Sequence, residues 1–184
     1  MLDSGRDCIE IVCITSNHRR WKEAEQLQVQ VSKTRKRVLK EEHPDTLMSM
    51  GNLASTYRNL GRWKEGEQLD VQVLETRKRV LGEEHPDTLM SMANLALTYG
   101  NQGRWKKAEQ LEVQVLGTRK RVLGEEHPST LTSMNNLAHT LKSQGQDEKA
   151  ISLMKNAVDL LIKQLGPTHP NTIDSTDTLN TWQK

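Results

Sequence analysis

The chain has 184 residues, 26 of them basic and 24 acidic, so its formal net charge is only +2, and that balance gives no global drive toward nucleic acid or a membrane surface. Hydrophobic residues make up 34% and phenylalanine is absent, which is lean for one core of this length but suits stacked helical units that bury only shared faces. No apolar run approaches a membrane span, and the only cysteines, Cys8 and Cys13, make neither a disulfide framework nor a metal site, so a reducing, cytoplasmic setting is expected.

The opening stretch, MLDSGRDCIEIVCITSNHRR, has acids inside its apolar part and no cleavage pattern, so it does not read as a signal peptide. A first helix is predicted near residues 5–18, weakened by β-branched CIEIVCIT. From Arg20 onward the chain repeats. Trp21, Trp63 and Trp105 are 42 residues apart, as are Gly61, Gly103 and Gly145, and the pairs His43-Pro44, His85-Pro86, His127-Pro128 and His169-Pro170. The unit 20–61 matches 62–103 at 33 of 42 positions, and 104–145 matches 62–103 at 31 of 42. A fixed period of this kind is the mark of a repeat architecture.

Each unit reads as two helices. Leu89, Met92, Leu95, Ala96 and Tyr99 recur at three and four residues, one helical face. Pro86 suits the first turn, Asp87 complements the dipole there, and Gly103 can end the helix in a left-handed conformation. Trp105, Ala108, Leu111, Val115 and Val122 form the buried face of the second helix, which TRKR and Gly124 close. Helices are predicted near 20–40, 44–60, 62–81, 86–102, 104–123, 128–144, 146–165 and 170–183. The division is 1–19 as a degenerate first helix and cap, repeat units 20–61, 62–103 and 104–145, a divergent last unit 146–169 and a capping helix 170–184.

In NLALTYGNQGRWKKAEQL, the residues Ala96, Tyr99, Gly103 and Ala108 fill the small, aromatic, turn-glycine and alanine places of a tetratricopeptide repeat, which the stretch resembles. The 42-residue period and the LGEEHPDT linker are similar to the kinesin light chain subclass, which also forms C-terminal arrays in fungal nucleotide-binding immune-type receptors. The resemblance covers Arg20 to about Thr178. Thr15 and Arg19 stand where the Tyr and Gly belong. It implies an all-α solenoid, a right-handed superhelix of antiparallel helix pairs.

The repeated residues have structural readings first. Each histidine sits in a different unit, about 10 Å or more from the next, too far apart for zinc ligands near 2 Å, so a linker histidine shaping each helix start is expected. The tryptophans are expected to pack between helices. The blocks Arg35-Lys36-Arg37, Arg77-Lys78-Arg79 and Arg119-Lys120-Arg121 make a basic edge, and Glu41-Glu42, Glu83-Glu84 and Glu125-Glu126 answer them. Nucleic-acid binding is the poorer reading of that edge. There is no phosphate loop, GxSxG elbow or HExxH, so neither an enzyme nor a cofactor or metal site is expected.

The copies disagree along one stripe of the first helices: Gly51, Ala93 and Asn135; Ser55, Leu97 and His139; Arg58, Gly100 and Lys142, spaced i, i+4, i+7. The resemblance places these positions on a concave groove, beside a constant Asn52, Asn94 and Asn136. Such a ladder could hold an extended peptide, since an amide both donates and accepts, or could bond neighbouring helices. The expected function is non-catalytic binding of a protein or peptide segment. Arg58, His139 and Lys142 would tint the groove basic and favour acidic residues in the ligand. The alternatives are a spacer or oligomerisation array that self-associates through its repeat ends, or the sensor part of a larger NTPase receptor. A kinesin-cargo adaptor role has the least support, because no heptad segment precedes Arg20.

Overall fold

The structure, a computed structural model, describes the backbone of residues 4–184 and the side chains of residues 19–184. The expectations that concern residues 1–3 and the side chains of Cys8, Cys13 and Thr15 lie outside the described residues. Among the described residues there are eight helices and no strand: α1 Ser4–Leu39, α2 Pro44–Asn59, α3 Trp63–Leu81, α4 Pro86–Asn101, α5 Trp105–Leu123, α6 Pro128–Ser143, α7 Asp147–Leu165 and α8 Pro170–Trp182. No described helix is long and apolar enough to cross a membrane. The chain divides into two compact units, Met1–Ser91 and Met92–Lys184.

The punctuation of these helices is local and repeats with the sequence. Each first-type helix has Pro at its start, and the preceding histidine caps it. The Nδ1 atoms of His43, His85, His127 and His169 accept the backbone N–H two residues on, at 3.2, 3.1, 3.1 and 3.2 Å. An N-cap acceptor satisfies one of the donors that a helix start leaves orphaned. The linker histidine therefore shapes the helix start, as its position suggests.

The other ends close on glycine. At φ +72°, Gly103 lets Arg104 N–H donate to Tyr99 O (2.8 Å) while its own N–H donates to Gly100 O (2.8 Å). That is a Schellman closure, and Gly61 and Gly145 repeat it. Position 19 of the same frame holds Arg, which cannot enter that conformation cheaply. The break expected near residue 19 is accordingly absent, and the two helices predicted at 5–18 and 20–40 are one continuous α1 of 36 residues. Among the described residues there is thus one helix fewer than the periodicity suggests.

In the first unit, Leu47 and Met50 of α2 bury against Val73 of α3, with Leu69 alongside. Arg62 crosses to Glu25 of α1 (2.5 Å), bonds Glu65 (2.9 Å) and lies over the Tyr57 ring at 4.4 Å. In the second unit, Leu131, Met134, Leu137 and Leu141 of α6 pack against Leu116 of α5 and Ala150, Ala157 and Leu161 of α7. Ala138, Met154, Val158 and Leu179 carry the core on to α8, where Trp182 covers it. Small residues sit fully inside: Ala54, Ala96, Ala108, Ala138 and Ala150 have no exposed surface. A Cβ at Gly66 would sit 3.2 Å from Ala54 O.

Two expectations about burial fail. Trp63 is 42% exposed and Trp21 38%, while Trp105 is half-buried. Trp63 and Trp105 open α3 and α5, whereas Trp21 lies within the continuous α1, and a large amphipathic ring can lie partly on the surface in either place. Val122, placed on the buried face by periodicity, is 49% exposed.

The basic blocks do not form a uniform edge. Arg77 turns inward, 7% exposed, and its Nη1 donates to Asp87 O (3.0 Å) and Ser91 Oγ (2.9 Å). Arg119 does the same to Ser129 O (3.0 Å) and Ser133 Oγ (2.8 Å), and Arg35 bonds Asp45 O (3.0 Å). Burial lowers the pKa of the Arg77 and Arg119 guanidinium groups. Lys36 and Lys120 meet the linker carboxylates Glu41 (2.9 Å) and Glu125 (2.7 Å). Each block is thus a joint between a helix end and the next helix start.

Candidate functional site

The stripe read from internal divergence lies on the first-type helices α2, α4 and α6. In the first unit, Gly51 and Ser55 are half-buried and Asn52 is exposed. Arg58 is largely withdrawn from solvent. Its side chain is 8% exposed and its Nη1 lies 2.8 Å from Oδ2 of Asp70, itself 2% exposed, on α3.

In the second unit, part of the stripe converges. Leu97 and Gly100 of α4, and Asn136 and His139 of α6, line one cavity of about 250 Å³ together with Trp105 and Glu112 of α5. Leu97 is 54% exposed at its edge. Among the described residues no hydrogen bond engages the Asn136 side chain. Ala93 and Asn94 are half-buried. Asn135 faces elsewhere: its Nδ2 donates to Ser175 Oγ of α8 (2.8 Å). The Lys142 ammonium pairs with Asp147 (3.2 Å) and lies 5.9 Å from the Trp182 ring centre. His139, exposed on its outer side, meets Trp182 edge-to-face at 5.0 Å, and partial desolvation lowers its pKa. Two of the three residues expected to tint the surface basic, Arg58 and Lys142, therefore already hold carboxylates of this chain.

One residue of the cavity was missed by the reading of the first helices alone. Glu112 is 7% exposed. Burial pushes its carboxyl up to about 7; a hydrogen bond with Thr140 opposes that, and the nearby Glu109 charge adds to it. Its Oε2 has no hydrogen-bond partner. The signal was present in the second helices, where the 42-residue frame holds Gln28, Asp70, Glu112 and Met154. Twelve residues earlier the same frame holds Ser16, Arg58, Gly100 and Lys142. Asp70 has its arginine, whereas Glu112 faces a glycine.

Among the described residues no group of three or more His, Cys, Asp or Glu could hold a metal ion. Two tetratricopeptide repeat profiles match the chain, one over residues 49–121 and the other over 10–45 and 130–171. The fold is similar to two crystal structures of nearly identical TPR-like repeats from a kinesin light chain-type protein of Podosopora anserina, one of them a single-substitution variant. Each is 30% identical, covering 99% of this chain and 87% of that one, with TM-scores of 0.76 and 0.75. BtubC from P. vanneervenii shares the fold at 20% identity and TM-score 0.75, over 89% of this chain and 65% of that one. Curated protein sequences contain no significant match.

Proposed function

The chain belongs to the tetratricopeptide repeat family, in its kinesin light chain-like, all-α solenoid form, and from that membership we propose that it is a non-catalytic scaffold binding a protein or peptide segment along its first-type helices. Tetratricopeptide repeats are in general protein-interaction scaffolds. The observation that carries the finer reading is the cavity shared by Leu97, Gly100, Asn136 and His139. Divergent positions of two first-type helices meet there beside an asparagine amide with spare hydrogen-bonding capacity. A cavity with one apolar edge and convergent polar groups is the usual form of a recognition site.

The test is partner capture by the intact chain and by a Leu97→Ser/Asn136→Ala variant, read by quantitative mass spectrometry. Proteins recovered by the first and depleted from the second support the reading. An identical set from both overturns it.

A second reading, self-association, is favoured by the 33 of 42 identities between units 20–61 and 62–103, because near-identical units present matching faces to one another. Mass measured in solution across a concentration series separates the two: a monomer at every concentration removes this reading.

A further inference from the structure

The two units of the chain treat the same buried position differently. In the first, Asp70 is neutralised from within by Arg58, twelve residues earlier. In the second, the acid is kept as Glu112 but the arginine place is Gly100. Glu112 is more than nine-tenths buried, and its Oε2 is unpartnered. Both residues line the cavity of about 250 Å³. A charge without a counter-ion in such a place is costly, so the arrangement is an ion-pair site with one half missing.

We propose that this cavity receives the guanidinium of an arginine side chain carried by the bound segment, with Glu112 as its counter-ion. The inference rests on the peptide-binding reading above and names the chemistry of its ligand. Arg58 supplies the template: it shows that the corresponding pair in the first unit, α2 and α3, accepts a guanidinium against a buried carboxylate at 2.8 Å. Guanidinium is favoured over ammonium because its planar fork matches a carboxylate and stacks on aromatic faces. Trp105 provides such a ring, its nearest carbon 3.1 Å from where a Cβ of residue 100 would stand. Glycine at 100 therefore does two things. It removes the internal cation and it leaves the ring room to form a wall. Asn136 and Ser143 add polar groups to the lining.

The full chain is titrated with N-acetylarginine methylamide at pH 8, where the Glu112 carboxyl is ionised, and followed by backbone amide chemical shifts. Citrulline and norleucine derivatives are titrated in parallel. Saturable shifts centred on Gly100, Glu112 and Thr140, seen with arginine and not with the uncharged analogues, are expected. Glu112→Gln should weaken them by about tenfold or more, as for loss of a charge-assisted pair. That variant removes a buried charge and keeps the side-chain shape, so it folds. Gly100→Arg, which carries the cation internally, should abolish them. No shift at these residues, or shifts unchanged in Glu112→Gln, overturns the proposal. Partner capture separates the two: a partner held alike by the intact chain and Glu112→Gln but lost from Leu97→Ser/Asn136→Ala keeps the wider peptide-binding reading while the arginine proposal fails. That reading can fail while the arginine derivative still binds, and the cavity can fail while a partner is still captured.

Discussion

Arg58 and Asp70 form a buried ion pair between α2 and α3, Nη1 to Oδ2 at 2.8 Å, with side chains 8% and 2% exposed. Such pairs contribute little net stability relative to an apolar pair but are costly to break on one side. Asp70→Ala is expected to lower unfolding free energy by about 3–5 kcal/mol, because it leaves the Arg58 charge buried. Adding Arg58→Leu should recover most of that loss. Urea denaturation of the two single variants and the double variant checks it; equal losses that simply add would show that the two side chains do not act as a pair.

Glu112 makes the stability of the second unit depend on pH. Its folded pKa, about 7, lies above the ordinary 4.5, so the folded state holds the proton more tightly than the unfolded chain. The stability it contributes is full below about pH 4.5 and is lost as pH rises through 7. Glu109 on its own helix is the charged group acting on it and Thr140 on α6 bonds it, while His139 is the other titratable group lining the same cavity. Glu112→Gln should therefore match the native chain near pH 4 and exceed it above pH 7, by on the order of 3 kcal/mol at most. Thermal midpoints measured from pH 4 to 8 for both proteins test the sign; a gap that does not widen with pH contradicts it.

The histidine caps should cost what helix caps cost. His127→Ala removes the acceptor for Ser129 N–H (3.1 Å) and is expected to destabilise by about 0.5–2 kcal/mol. His127→Asp should restore or improve stability, since Asp is a preferred cap and its charge complements the helix start. Denaturant midpoints of the two variants give the comparison; equal losses would assign the histidine to packing.

Lys40 has φ +72°, whereas its frame equivalents Gly82, Gly124 and Gly166 are glycines at +90°, +92° and +85°. A side chain in that region costs roughly 1–2 kcal/mol, offset in part by the extra freedom glycine has when unfolded. Lys40→Gly should stabilise the chain by about 0.5–1 kcal/mol, and Gly124→Ala should destabilise it, although nothing stands within 4 Å of a Cβ there. Both are read as shifts in thermal midpoint.

Much of the fold was legible because helix ends are local events. A Pro after His, a Gly after the last turn and apolar spacing of three and four residues each act within a few residues of themselves. They placed seven of the eight helices to within two residues at each end. The eighth, α1, was misread because the frame was extended across Arg19, where the glycine that makes the break is missing. Burial of the tryptophans was misjudged for a different reason. A large ring's type says little about whether its corner of the helix is covered.

The sequence by itself determined the repeat frame, the caps, the turns and the stripe of divergent positions, since each depends on near neighbours in the chain. Only the tertiary structure decided which charges are satisfied. Arg58 was read as a surface cation, Arg77 as part of an edge, and Glu112 was not singled out, because nothing in a linear pattern measures the distance between two helices. Coulomb attraction and desolvation both turn on a few ångströms and on exclusion from water. The packing of α3 against α2 supplies these to Arg58 and Asp70, and the glycine at position 100 withholds the same counter-ion from Glu112.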